Sequence, residues 1–331
     1  MSRGRASEWV AICLAAAIVL PHLADAQHGH DLPLGVDAFM PVPESNPLTA
    51  EKIALGRRLF FDARLSADGT LSCAGCHDPA RAFTDGRRTS VGVGGRVGRR
   101  NAPALLNRGY GAAFFWDGRA SSLEEQVLGP IEHPDELAST VDAVLARLQQ
   151  DPVYGASFES AFGRSINRDD LARALASYVR SLVAGDSPVD RYLAGEREAL
   201  SFEEQEGLRV FRGKANCTAC HLGPLFSDER FHNTGVAWAG GTLTDEGRGT
   251  VTGRPEHRGA FKTPTLRHVA ETSPYMHDGS IWSLEGVIDF YDRGGNSNPN
   301  LDPELRPLRL TAGEKAVLVA FLRALSGRIV H

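Results

Sequence analysis

Cys73-Ala74-Gly75-Cys76-His77 and Cys217-Thr218-Ala219-Cys220-His221 each bring two thiols and an imidazole together, one copy in each half of the chain. C-x-x-C-H is the attachment signature of c-type haem. Each cysteine can form a thioether to a haem vinyl group, and the adjacent histidine can ligate the iron from one side. A redox dithiol would not need the histidine, and half a zinc site would not need it directly after the second cysteine in both copies. Two covalent haem c groups are therefore expected. The sixth position of each iron then decides between a carrier of electrons, with both irons closed, and a reactive centre, with one open. No His or Met lies between Asp78 and Glu132, so nothing local closes the first iron, and a distant ligand is the alternative. For the second iron the candidates are Met276, Tyr291, His232, His257, His268 and His277. Tyr291 shares a helix face with Leu284, Val287 and Ile288 by spacing. A tyrosine on an inward face needs a partner for its hydroxyl, either a carbonyl or a metal.

These groups need a scaffold, and a chain of 331 residues has room for roughly two domains. The net charge of −5 argues against nucleic acid as a partner. Residues 1–26 read as a signal peptide: Arg3 and Arg5, an apolar run from Trp9 to Leu20, then Ala24-Asp25-Ala26 as a cleavage site. The run is short for a bilayer span, the retained anchor being the alternative. Cleavage would remove Cys13 and leave four cysteines, all in the two motifs, with none for a disulfide. Export to the periplasm suits haem c attachment in Gram-negative bacteria. His28 and His30 read as a solvated tail.

The pattern predicts helices over Thr49–Asp62, Glu136–Gln150 and a stripe from Leu171 to Leu182 that ends near Gly185. Ser121-Ser122-Leu123-Glu124, Ser201-Phe202-Glu203-Glu204 and Thr311-Ala312-Gly313-Glu314 read as capping boxes, the last opening a helix closed by Gly327. Ser283–Asp292 reads as a short helix and Gly235–Lys262 as a long irregular loop. Gly92–Gly98 does not fit G-x-G-x-x-G and follows no strand, so it is not a nucleotide loop. Glu51–Phe60 resembles Glu206–Phe211, and each C-x-x-C-H is followed by an aromatic and an Asp, at Phe83-Thr84-Asp85 and Phe226-Ser227-Asp228. With a boundary at Gly185-Asp186-Ser187-Pro188, the expected organisation is 1–26 signal peptide, 27–187 N-terminal domain and 188–331 C-terminal domain. The fold class is mainly α: two tandem cytochrome c-like domains, each with one covalent haem c, and few short strands.

The chain resembles the bacterial dihaem cytochrome c peroxidase family, including its MauG branch. The resemblance rests on Leu59-Phe60-Phe61-Asp62, both C-x-x-C-H motifs, Arg100-Asn101-Ala102-Pro103, Phe115-Trp116-Asp117-Gly118-Arg119, Gln126, Gly129-Pro130-Ile131, Lys262-Thr263-Pro264-Thr265-Leu266-Arg267 and Pro274-Tyr275-Met276-His277-Asp278-Gly279. It implies a peroxide-reacting first haem, an electron-transfer second haem, and Trp116 as a relay between them. It implies Glu136 as the acid–base residue, twenty residues after Trp116, with Gln126 and Pro130 lining the distal pocket. It also implies a calcium site made by Asn101 and the backbone carbonyls of Thr272 and Pro274, oxygen ligands that suit calcium. The partners it implies are hydrogen peroxide and either a small donor protein (cytochrome c or cupredoxin) or an oxidisable partner protein. It is compatible with a monomer or a homodimer.

Two departures from the family pattern carry weight. Many members close the resting first haem with a His in the loop after Ser90-Val91-Gly92, where this chain has Val93, which cannot ligate iron. The usual member has a Met fourteen residues after the His of the P-Y-x-H-D-G motif, where this chain, like MauG, has Tyr291. A phenolate stabilises ferric iron, whereas a thioether raises the potential. MauG also carries a surface Trp two residues before its second motif. The matching residue here is Ala215, with Trp238 and Trp282 as substitutes.

Overall fold

The structure is a computed structural model that describes residues 32–330. The expected signal peptide, Cys13, His28 and His30 lie outside the described residues. Eleven α-helices are described: α1 (Ala50–Phe60), α2 (Leu123–Gln126), α3 (Gly129–Glu132), α4 (Val141–Gln149), α5 (Pro152–Phe162), α6 (Arg168–Ser181), α7 (Pro188–Leu193), α8 (Phe202–Arg212), α9 (Arg248–Thr252), α10 (Leu284–Asp292) and α11 (Ala312–Arg323). Strands are few and short, so the fold is mainly α. None of the described helices is long and apolar enough to cross a membrane.

Two apolar cores form, and they are built alike. In the first, α1 packs across α6, with Phe60 edge-on to Tyr178 at 5.1 Å and to Phe83 at 6.2 Å. In the second, α8 packs across α11, with Phe211 at 4.9 Å and Phe226 at 6.4 Å from Phe321. The close approach depends on one glycine in each pair. A Cβ on Gly56 would overlap the Ala174 carbonyl oxygen, and a Cβ on Gly207 would overlap that of Val317. Each pair thus puts the helix before a C-x-x-C-H motif against the last long helix of its own half.

The caps explain most helix starts. Thr49, Ser283, Ser201 and Thr311 each accept a hydrogen bond from the first turn, and the last two form full capping boxes. Four expectations need correction. The N-cap of α2 is Ser122, not Ser121, with Glu125 reaching back to the Ser121 N–H. α4 starts at Val141 behind Thr140, so Glu136 precedes the helix, in a turn closed by Glu136 N–H to His133 O and by Ala138 at φ +52°. α6 stops at Ser181, and Val183–Gly185 is instead a strand, β1. α11 ends at Arg323, well before Gly327. Helix α5 went unread in the sequence, although Asp151-Pro152 is a strong start signal: Asp151 caps it and Pro152 takes its first position.

The chain ends tie the two cores together. The last described strand, Arg328–Val330, pairs antiparallel with β1, which belongs to the first core. At the other end, Gly35 O accepts from Arg267, whose guanidinium forms a buried bidentate pair with Asp190 at 2.8 and 3.0 Å.

Candidate active site and haem-binding cavity

Each C-x-x-C-H motif folds as one 3-10 turn followed by a docked imidazole. Cys76 and His77 donate to the Cys73 carbonyl at 3.2 and 3.0 Å, and Cys220 and His221 donate to that of Cys217 at 3.3 and 2.8 Å. The His77 Nδ1 lies 3.0 Å from the Phe83 carbonyl, and the His221 Nδ1 lies 2.8 Å from that of Phe226. A carbonyl only accepts, so Nδ1 carries the proton in both rings and Nε2 keeps its lone pair for a metal. Phe83 and Phe226 present these carbonyls from a left-handed backbone, at φ +60° and +49°. Burial lowers the pKa of both imidazoles, which favours the neutral, ligating form. Burial pushes the Cys73 and Cys217 thiols up to about 12, so neither is a thiolate nucleophile.

Both motifs open onto one cavity of about 810 Å³. Of the residues singled out in the sequence, it is lined by Cys76, His77, Cys217, Cys220, His221, Asn101, Trp116, Gln126, Pro130, Glu136, Thr272, Pro274 and Tyr291, and also by His232, Met276 and His277 but not by His257 or His268. Cys73 is set back against the first core. The cavity is large even for a drug-sized ligand site, and most of its lining is apolar. The four motif cysteines are free, and no other cysteine occurs among the described residues. A thiol pair and a metal-ready imidazole, facing an apolar cavity, are what a covalent haem requires, and this donor set occurs twice along the one cavity. The residues fit the group.

The two ends of the cavity differ at equivalent positions, among them Pro130 and Tyr291. Counted from the helix-capping serines, Pro130 follows Ser122 by the same interval as Tyr291 follows Ser283. Tyr291 faces the cavity with Leu284 and Val287 of α10, and its hydroxyl has no hydrogen-bond partner among the described residues. Burial and the nearby Cys220 and Cys217 raise its pKa. Pro130 has no donor atom in its side chain, and it breaks the counterpart of α10 into the short helices α2 and α3.

Glu136 reaches the first end of the cavity from the turn before α4. The Gly92-Val93 stretch seats this turn: Val93 N–H donates to the Glu136 carbonyl at 2.9 Å, and a Cβ on Gly92 would overlap the Asp135 carbonyl oxygen. The Val93 side chain is buried and does not line the cavity. Burial raises the Glu136 pKa, with His133 and Arg119 opposing it.

Trp116 is fixed at both ends. Its indole N–H donates to Asn101 O at 2.9 Å, and its own carbonyl accepts from Lys262 N–H at 2.8 Å. A mirrored contact runs the other way, from Asn101 N–H to His277 O at 2.7 Å. The Asn101 amide donates to Arg87 O, while no hydrogen bond ends on its Oδ1 or on the carbonyls of Thr272 and Pro274 among the described residues. Ion pairs surround this junction: Arg108 with Glu229 and Arg100 with Asp245 cross between the two halves, while Lys262 with Glu229 and Arg100 with Asp117 lie each within one half. None of these pairs was legible beforehand, because none joins residues of one turn or one helix. Cys220, Asp228 and His232 bring ligand atoms within 4.8 Å of one another. Cys220 belongs to the second C-x-x-C-H motif, however, and both His232 nitrogens already meet carboxylates, of Asp302 and Asp228. They do not make a separate metal centre.

Comparison with known proteins agrees with this site. Residues 50–198 match the family model described as di-haem cytochrome c peroxidase. The methylamine utilization protein MauG of Methylorubrum extorquens is 44% identical over 293 residues, covering 86% of this chain and 81% of that one. The cytochrome c551 peroxidase of Pseudomonas aeruginosa is 35% identical over 319 residues, covering 92% and 88%. Among solved structures, a MauG-like protein associated with microbial copper homeostasis superposes with a TM-score of 0.83 at 37% identity, covering 90% of this chain and 95% of that one. The chain belongs to the dihaem cytochrome c peroxidase family of oxidoreductases.

Proposed function

We propose that the chain is a periplasmic enzyme with two unequal haem c sites. Hydrogen peroxide is reduced to water at the first, oxidising equivalents are shared with the second, and an external donor such as a small cytochrome c or cupredoxin supplies electrons. The observation that supports this best is the pair Pro130 and Tyr291, equivalent in place and opposite in chemistry. Residues 27–187 form the first cytochrome c-like domain and 188–331 the second.

When bound, haem c supplies an iron that activates the O–O bond and holds oxidising equivalents. His77, with Cys73 and Cys76, holds the first group; His221, with Cys217 and Cys220, holds the second. Pro130 offers no ligand and leaves room for peroxide. Glu136 takes a proton from one peroxide oxygen and returns it to the other, as base and then acid, and its raised pKa suits both roles. Gln126 orients the peroxide. Trp116, locked at both ends, relays electrons between the sites. Tyr291 closes the second site with its otherwise unpartnered phenol oxygen. Asn101 Oδ1 and the carbonyls of Thr272 and Pro274 hold a calcium ion at the junction.

A second reading, oxidation of residues in a partner protein, is favoured by one observation: Tyr291 in place of a thioether. Against it, Ala215 is 6% exposed and packs in the second core, so the position of MauG's surface Trp is occupied by a small buried side chain. Trp282, 61% exposed, is the aromatic that could replace it. A third reading, a carrier of electrons alone, needs both sites closed. An electron paramagnetic resonance spectrum of the resting holoenzyme tests the proposal. It should show one high-spin and one low-spin ferric signal, the first lost on adding peroxide; two low-spin signals unaffected by peroxide would leave only the carrier.

A further inference from the structure

Reducing one peroxide to two waters takes up two electrons and two protons. The donor supplies the electrons, but the protons come from water, and Glu136 is recessed in the cavity wall. We infer that His133 is the relay that carries protons from solvent to Glu136; this rests on the acid–base role proposed for Glu136.

Three observations place it. His133 lines the same cavity as Glu136, yet 45% of its side chain is exposed, against 33% for Glu136. It therefore meets both water and the interior. Its Nδ1 lies 3.7 Å from Glu136 Oε1, a gap that a small rotation of either side chain closes. The turn holds the two residues at this separation, because Glu136 N–H and Ala138 N–H both donate to the His133 carbonyl at 3.1 Å. Imidazole is also the side chain suited to exchanging protons with water near neutral pH.

The ring's own bonding gives the relay a resting and a loaded state. In the resting state Nδ1 accepts from Asp135 N–H at 3.2 Å, so the ring proton sits on Nε2. A proton arriving from water must then occupy Nδ1, which turns it from an acceptor of Asp135 N–H into a donor toward the Glu136 carboxylate. Transfer to Oε1 returns the ring to its resting form, with one proton moved and His133 unchanged. The charged groups around it are Asp135 and Glu136 on the same turn, Glu132 paired with Arg168 of α6, Arg119 from the Trp116 turn, and Arg96, which donates to the Pro134 carbonyl.

His133→Asn separates relay from scaffold, since an amide oxygen can still accept from Asp135 N–H but cannot pass a proton. In holoenzyme at pH 8 and dilute phosphate, its reaction with peroxide should be at least about tenfold slower than wild type, and raising the phosphate concentration should restore it. The infrared C=O band of protonated Glu136, identified by its loss in E136Q, should titrate at higher pH in H133N, because the imidazole that opposes the rise of the Glu136 pKa is gone. Wild-type kinetics in H133N, a deficit that phosphate does not relieve, or an unmoved Glu136 band would each overturn the relay. If E136Q itself reacts normally, it is the Glu136 role that fails; if E136Q is slow while H133N is normal, only the relay does.

Discussion

The two halves of this chain are variations on one plan, and their differences fall where the chemistry is. Both have a glycine-mediated helix crossing, a C-x-x-C-H turn, and an imidazole fixed by a left-handed phenylalanine. Both continue into a tight turn closed by an isolated bridge, Phe114 to Ala120 in one and Tyr275 to Ile281 in the other. The same position of that turn carries Trp116 in the first half and His277 in the second. Eight residues beyond each helix cap, the first half has proline and the second tyrosine. A repeated scaffold thus makes two equivalent cradles, and a few substitutions make them unequal. Packing tolerates little change at the crossings, whereas a residue that only faces a cavity is free to diverge.

The largest test of this asymmetry is Tyr291→Met. Exchanging a phenol oxygen for a thioether should raise the potential of the second site by a few tenths of a volt, within the roughly 0.8 V range open to axial ligands. Redox titration would read it, and an unmoved potential would remove Tyr291 from the coordination sphere. Next comes Glu136→Gln, which should slow the peroxide reaction about 10²- to 10⁴-fold in stopped flow while leaving the second site's spectrum untouched. Equal effects on both sites would break the assignment of chemistry to the first.

The shared plan is tested by Gly56→Ala and Gly207→Ala. Each pushes a methyl group into a backbone carbonyl of the partner helix, and each should lower stability by about 1–3 kcal/mol in denaturant unfolding. Similar costs would support equivalence, and a neutral substitution in either half would contradict it. The last effect, felt only in acid, is on the pH dependence of stability. Burial alone would raise the Asp170 pKa, but Arg164, Asn167 and Arg173 outweigh it and hold it at about 2, against an ordinary 3.8. A depressed carboxyl stabilises the fold above its unfolded pKa, and that contribution is lost as pH falls through the folded value. The first half should therefore lose roughly 2 kcal/mol between about pH 4 and pH 2, measured by thermal unfolding against pH. Asp170→Asn should abolish that slope.

How far the site could be read in advance depended on whether the signal was local. Ser201, Thr311 and Ser283 announced their helices because a cap acts within one turn. The Glu136 helix was placed too early because the apolar spacing continues upstream of Thr140, while Ala138 reverses the backbone at φ +52°. His133 stood three residues before Glu136 in plain view, but nothing in the sequence shows that the intervening turn brings Nδ1 to face the carboxylate. The Arg100 pairs with Asp117 and Asp245 left no local trace at all.

The order of residues was enough to dictate that two cysteines and a histidine cluster in each half: at that fixed spacing they can do nothing else, wherever the chain goes. It also dictated the repeat, the helix caps and the presence of Tyr291. Tertiary structure alone decided that both motifs open into one cavity, that Trp116 is pinned by backbone groups from both halves, and that Glu136 leaves its helix to reach the wall. Those outcomes depend on contacts between residues up to 176 positions apart, such as Lys262 N–H with Trp116 O and Asn101 N–H with His277 O, and their energies exist only once two cores have closed.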